Sequence, residues 1–410
     1  MKNIFRRDSN TLFALTLTVF ALMACKEKSA EKEAVPEVKL VVPDTLKWSE
    51  RFALSVMKRN AEAFQIDDRT EAKWDYVHGL VLTGFEALYE QTDKPIYYAY
   101  VKAYVDALVD STGSIKTYNF DDYNLDMINA GKLLFRLYDT TKEDKYLKAM
   151  QLLQKQLNEQ PRTKVGGFWH KKRYPDQMWL DGLYMAGPFY ARYTTVFEEG
   201  KNLDDVAKQF EMIQRYAMDK EKGLLYHGWD ESREMAWANK ETGTSPNFWS
   251  RSLGWYAMAL VDVLDYFPEE HPKQKELVGY LNQLVTTLVK YQDESGLWYQ
   301  VTDMGDREGN YLEASGSSMF AYALAKGVNK GYLPRSYKDN ANRAFDGLTR
   351  DLIKIDADGE LHLTQVCSVA GLGGDPYRDG SYEYYVNETK KDNDPKGTGP
   401  FILAALELDR

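Results

Sequence analysis

The chain has 410 residues, 62 of them acidic and 52 basic, for a formal net charge of −10. Hydrophobic residues at 44% and charged residues at 28% give a globular balance, which excludes a disordered chain and a multi-spanning membrane protein. The acidic surplus argues against a nucleic-acid partner, which calls for a clustered basic face.

The first 25 residues read as an export signal. Lys2, Arg6 and Arg7 precede an apolar stretch over 11–24, too short to span a bilayer stably, and Leu22-Met23-Ala24-Cys25 closes it. That ending resembles a bacterial lipobox, in which the cysteine is lipidated and becomes the new N-terminus. The plainer alternative is an ordinary secretory signal with an incidental cysteine. Residues 26–43 are charged, proline-punctuated and free of aromatics, the composition of a flexible tether. The expected membrane contact is therefore an N-terminal lipid anchor alone. With Cys25 so used, Cys367 has no partner and no disulfide is expected.

From residue 44 to 410 the apolar period is helical nearly throughout. Twelve helices are predicted at 46–64, 73–91, 95–111, 124–139, 142–160, 178–194, 203–219, 249–267, 272–292, 313–330, 335–355 and 396–408. Half of them carry charge along one face, as in the run from Lys142 to Leu153. The alternate ones are apolar almost all round and rich in small residues, as in Ser252-Leu253-Gly254-Trp255-Tyr256-Ala257-Met258-Ala259. Helices apolar on every side are buried on every side. Six buried helices alternating with six half-exposed ones imply two concentric rings, an all-α (α/α)6 barrel, in one domain. A candidate strand lies at 361–366.

Each buried helix opens on a polar or aromatic cluster, among them Asn124-Leu125-Asp126, Trp179-Leu180-Asp181 and Trp249-Ser250-Arg251. If these helices run parallel, the clusters meet at one mouth. Long non-helical stretches at 161–177, 220–248, 293–312 and 356–395 would wall it. Asp126 and Asp181 are the sharpest candidates, since an acid at the entrance of an apolar helix is costly unless paired or protonated. The bland alternative for either is a helix N-cap. His170 and His227 sit beside Trp169 and Trp229 in the mouth loops, whereas His78 reads as a core residue. Arg251 opposes the helix dipole at its position, which fits either a fork for a ligand carboxylate or a salt bridge. No HExxH, no paired cysteines and no close histidine pair occur, so neither a metal nor another cofactor is expected.

The blocks at 167–193 (GFWHKKRYPDQMWLDGLYMAGPFYARY), 226–232 (YHGWDES), 245–264 (SPNFWSRSLGWYAMALVDVL) and 397–407 (GTGPFILAALE) resemble glycoside hydrolase family 105. These are the unsaturated rhamnogalacturonyl hydrolases, and the resemblance spans the chain from about Trp48 onward. It implies an (α/α)6 barrel and a substrate left by a polysaccharide lyase, with a Δ4,5-unsaturated uronate at its non-reducing end. The implied reaction hydrates the C4=C5 double bond rather than cleaving the glycosidic bond directly. It places the acid/base role on Asp181 and the second acid on Asp126. Substrate contacts fall on His170, Lys171, Trp179, His227, Trp249 and Arg251, with tryptophan for stacking and arginine and histidine for hydroxyls and the C6 carboxylate. An unsaturated glucuronyl hydrolase acting on glycosaminoglycan or other uronide fragments is the nearest alternative.

On the residues alone, a two-carboxylate glycosidase, a hydrating hydrolase, a lyase and a non-catalytic sugar-binding lipoprotein all stay open. The paired acids argue against the binding protein. A pocket walled by four loops suits an exo-acting hydrolase better than a lyase with a long cleft.

Overall fold

The computed structural model describes residues 41–409. Cys25, the export signal and the tether up to residue 40 lie outside the described residues. Val42, at the end of the predicted tether, is buried.

In chain order the helices are α1 (Trp48–Arg59), α2 (Tyr76–Thr92), α3 (Pro95–Asp106), α4 (Lys132–Thr141), α5 (Asp144–Glu159) and α6 (Leu180–Phe197). They continue with α7 (Leu203–Tyr216), α8 (Ser250–Val263), α9 (Pro272–Leu288), α10 (Ala314–Asn329) and α11 (Tyr337–Gly347). A short α12 (Tyr382–Asn387) and the terminal α13 (Pro395–Glu407) complete the set. All twelve predicted helices are present, most of them shorter, although α2, α4 and α6 end later than predicted and α13 begins one residue earlier. Helix α4 is entered through a 3-10 segment, Leu125–Gly131. There α2 packs so closely that a Cβ on Gly79 would lie 2.7 Å from the Ala130 backbone. Helix α11 runs into a π turn, Leu348–Leu352.

Burial sorts the helices as the pattern predicts. Every residue of α8 is buried, while α5 buries Tyr146, Ala149, Met150, Leu153 and Leu157, one stripe at spacings of three and four. Helices α2, α4, α6, α8, α10 and α13 form the inner ring: α4 meets α6 through its 3-10 entry Leu125–Gly131, the others pack directly on the next, and α13 packs on α2 to close it. Helix α1 packs on α13, and Lys47 at its start is ion-paired with Asp409.

A repeated backbone bond shows that four of the inner helices begin at one end. The N–H of Leu125 donates to the His170 carbonyl (3.1 Å), that of Leu180 to His227 (3.0 Å), that of Ser250 to Gln300 (3.0 Å), and that of Ala314 to Gln365 (3.2 Å). Four of the six inner helices are thus tied at their first turn to the mouth loop of the following repeat. Short antiparallel pairs hold these loops: β1 (Gln177–Trp179) with β2 (Gly228–Asp230), β3 (Ile353–Ile355) with β4 (Leu361–Leu363), and β5 (Val366–Cys367) with β6 (Lys390–Lys391). The candidate strand at 361–366 is therefore two strands, interrupted at Gln365, whose φ is +56°.

Candidate active site

The repeat aligns the predicted site residues. One position beyond each tied N–H stand Asp126, Asp181, Arg251 and Ser315 in turn. The residues whose carbonyls accept are His170, His227, Gln300 and Gln365. Neither aspartate is the cap of its helix. Asn124 caps the Asp126 segment by accepting the Asp126 N–H at 3.1 Å, and Asp181 is the second residue of α6. Their carboxylates are free to face the mouth.

The Asp126 carboxylate is ion-paired with Lys171, and its Oδ1 lies 3.4 Å from His170 Nε2. Burial works to raise its pKa, but the Lys171 ammonium, with His170 and Arg173, outweighs burial and holds it below its ordinary value. His170 is itself buried, which pushes its pKa down to about 4. A cavity of about 580 Å³ opens here, lined by Tyr76, Asn124, Asp126, Lys171, Lys172 and Arg173 among others. That size lies within the usual span of ligand pockets.

Asp181 has a different neighbour set. Its Oδ2 is 3.3 Å from His227 Nε2, yet both atoms are buried without a hydrogen-bond partner. No lysine or arginine lies within ion-pair distance of it among the described residues. His227 is fully buried, and its Nδ1 is 2.7 Å from the hydroxyl of Tyr385 on α12. Tyr385 stacks on Trp249 at 5.8 Å, and its carbonyl accepts from Gln300 Nε2 at 3.0 Å. Gln300 Oε1 in turn accepts from Trp249 Nε1 at 3.0 Å.

Trp179 joins the two aspartate pairs. His170 stacks on its ring at 4.6 Å, Tyr174 stacks on it at 5.0 Å, and His227 meets it edge-on at 5.4 Å. The expectation that Trp179 and Trp249 offer open faces for sugar stacking is therefore not met. Trp249 is 1% exposed, packed by Tyr385, His227 and the Arg251 guanidinium 4.6 Å above its ring. Both tryptophans are walls that fix the histidines.

Arg251 makes no ion pair among the described residues. Its Nη1 donates to the Cys367 carbonyl and to Ser315 Oγ at 3.4 Å, while Nε is buried without a partner. Glu313, its natural counter-ion, instead accepts N–H groups of Ser315, Gly316 and Cys367. Burial opposes its charge, but Cys367, Glu313 and Asp394 keep it protonated. The salt-bridge alternative for Arg251 is not realised, and an available cation remains. Cys367 is a free, buried thiol whose pKa burial pushes up to about 11.

All eight predicted residues thus fall in one network. Sequence reasoning missed Tyr385 and Gln300. His78 is the core residue expected, its Nε2 3.1 Å from the Phe64 carbonyl and its ring stacked on Tyr104.

The model of Glycosyl Hydrolase Family 88 matches residues 48–410. A glycoside hydrolase from family 105 of C. acetobutylicum ATCC 824 superposes with a TM-score of 0.85 at 45% identity, covering 89% of this chain and 99% of that one. The chain belongs to glycoside hydrolase family 105. This family 105 hydrolase is also 27% identical over 343 residues to the unsaturated rhamnogalacturonyl hydrolase YesR of Bacillus subtilis, 82% of this chain and 91% of the relative. A possible family member from Klebsiella pneumoniae has a TM-score of 0.73 at 24% identity, covering 88% of this chain and 92% of that chain. The family 105 hydrolase is a glycosidase with the (α/α)6 toroid of its relatives.

Proposed function

We propose that the enzyme removes a Δ4,5-unsaturated uronic acid from the non-reducing end of lyase-generated pectic oligosaccharides of the rhamnogalacturonan type. The unsaturated sugar is an enol ether conjugated to a carboxylate. Protonation at C4 places an oxocarbenium at C5, and water adds there. The resulting hemiketal opens to a keto sugar and frees the rest of the chain.

One observation carries this reading: two acids in equivalent positions have opposite surroundings. Asp126 is paired with Lys171 and serves as a fixed anion for sugar hydroxyls. Asp181 lacks such a cation and has a buried oxygen facing His227, which suits a carboxyl that gives a proton to C4 and then takes one from the attacking water. Arg251, with an unpartnered Nε, suits the C6 carboxylate of the substrate. The likeness to YesR supports the pectic substrate.

The test is loss of the ultraviolet absorbance of the conjugated double bond in an unsaturated rhamnogalacturonan disaccharide, with Asp181→Asn in parallel. Loss with the wild type and none with the variant supports the proposal. Turnover confined to unsaturated glycosaminoglycan disaccharides would move the substrate to that class, and sugar release from saturated uronides alone would overturn hydration.

Export and lipid anchoring through Cys25 belong to the same proposal, on the strength of the charged, apolar and small-residue order of residues 1–25. Expressed in a bacterial host, the wild type is expected in the membrane fraction and Cys25→Ser in the soluble one.

A further inference from the structure

Tyr385 and His227 form a contact that the hydration chemistry does not itself require. Both are fully buried, and they lie in contact although 158 residues separate them in sequence. A tyrosine hydroxyl carries a proton that must find an acceptor when water is excluded. Among the described residues, the contact found for this hydroxyl is His227 Nδ1. Were Nδ1 protonated and donating to the tyrosine oxygen, the Tyr385 proton would be stranded in a site with no exposure.

We propose that Tyr385 is a positioning residue that selects the tautomer of His227 and, through it, the oxygen of Asp181 that carries the catalytic proton. With the Tyr385 O–H donating to Nδ1, the neutral imidazole bears its own proton on Nε2, facing Asp181 Oδ2 at 3.3 Å. Bonds of this kind are often long in a free enzyme and tighten with substrate. Once that contact tightens, the Nε2 donor leaves Oδ2 as an acceptor, so the acid proton resides on Oδ1. The opposite tautomer would present a lone pair to Oδ2 and draw the proton there, away from the substrate.

The surrounding packing serves the same end. Tyr385 is held by its stack on Trp249 and by Gln300, which grips its carbonyl with one end of the amide and the Trp249 indole with the other. His227 is held between Trp179 and Trp249. Ring orientation is thus set by packing, and the tautomer by a single hydroxyl.

This inference rests on the acid/base role of Asp181, and its first test needs no substrate. Long-range proton–nitrogen NMR of histidine-labelled protein, with His227 assigned by its loss in His227→Gln, reports the tautomer directly. The wild type is expected to show an unprotonated Nδ1 and a protonated Nε2. In Tyr385→Phe, which keeps the ring stack, the two tautomers are expected to mix. A wild-type Nδ1–H, or a tautomer unchanged in the variant, overturns the proposal whatever the substrate proves to be.

The second test is kinetic. Tyr385→Phe is expected to lower kcat about tenfold to a hundredfold while KM stays within about twofold, since a misplaced proton hinders the chemical step alone. The alkaline limb of kcat is expected to move to higher pH, because a donor to the Asp181 carboxylate has been weakened. An unchanged kcat, or a fall traced to KM with the pH limb in place, overturns it too.

Discussion

Asp126 and Asp181 are one structural position used twice. Each follows a helix N–H tied to a histidine carbonyl in the next repeat, and each has that histidine's Nε2 within 3.4 Å. What separates them is the residue after the histidine. In one repeat it is Lys171, whose ammonium pairs with Asp126. In the other it is Gly228, where a Cβ would lie 2.7 Å from Leu372 and 3.1 Å from Trp179. A side chain there would crowd Leu372 and Trp179, and glycine itself brings no cation to Asp181. A duplicated frame thus holds one anion anchored by a cation and one acid without a cation, and the change is made by a neighbour rather than by the acids themselves.

The largest effect expected from this asymmetry is at Asp181. Asp181→Asn should lower kcat by about 10²–10⁴-fold, the usual contribution of a positioned acid/base group. Asp126→Asn should act more on KM. Equal losses of kcat from the two variants would break the comparison.

Next comes Lys171→Met, which leaves the Asp126 carboxylate largely buried without its cation. Loss of one partner of a buried pair costs about 3 kcal/mol, readable as a lower denaturant midpoint. The double variant with Asp126→Asn should recover part of that loss, because the uncompensated charge is then gone.

The third effect depends on pH. His170 is 3% exposed, and burial lowers its folded-state pKa from 6.5 to about 4. Below pH 6.5 the unfolded chain takes up a proton that the folded site refuses. Stability from this group is therefore complete above pH 6.5 and falls away toward pH 4, by at most about 3 kcal/mol. Denaturant midpoints across that range should fall less steeply in His170→Asn. Parallel curves would mean that His170 is protonated in the folded enzyme.

The smallest effect is expected at Gly228. Gly228→Ala forces a methyl against Leu372 and Trp179, a crowding that costs about 1–3 kcal/mol and is measurable as a lower Tm. A variant as stable as the wild type would show that crowding is not what keeps a cation away from Asp181.

Much of this architecture is legible in the sequence. The helical period separates inner from outer helices because burial on all sides leaves no polar stripe, as α8 demonstrates. The acids stand out because Asp126 and Asp181 open otherwise apolar runs. Contacts between distant segments leave no local mark. Tyr385 lies on a six-residue helix whose Tyr382-Glu383-Tyr384-Tyr385-Val386-Asn387 run is too short to show a period. The faces of Trp179 are covered by Tyr174 and His170, and adjacency in sequence does not reveal which way a ring is sandwiched. Arg251 is visible as a conflict with the helix dipole, but the commitment of its expected counter-ion Glu313 to backbone N–H groups is not.

The meeting of α1 and α13, with Lys47 against Asp409, makes the order of helices around the ring separable from the order of synthesis. A circular permutant that joined residue 409 to residue 47 through a short linker and opened at Gly331, where a Cβ would meet nothing within 4 Å, would cut none of the four inter-repeat ties. Catalysis in such a rewired chain would measure how far the mouth depends on the closed ring alone.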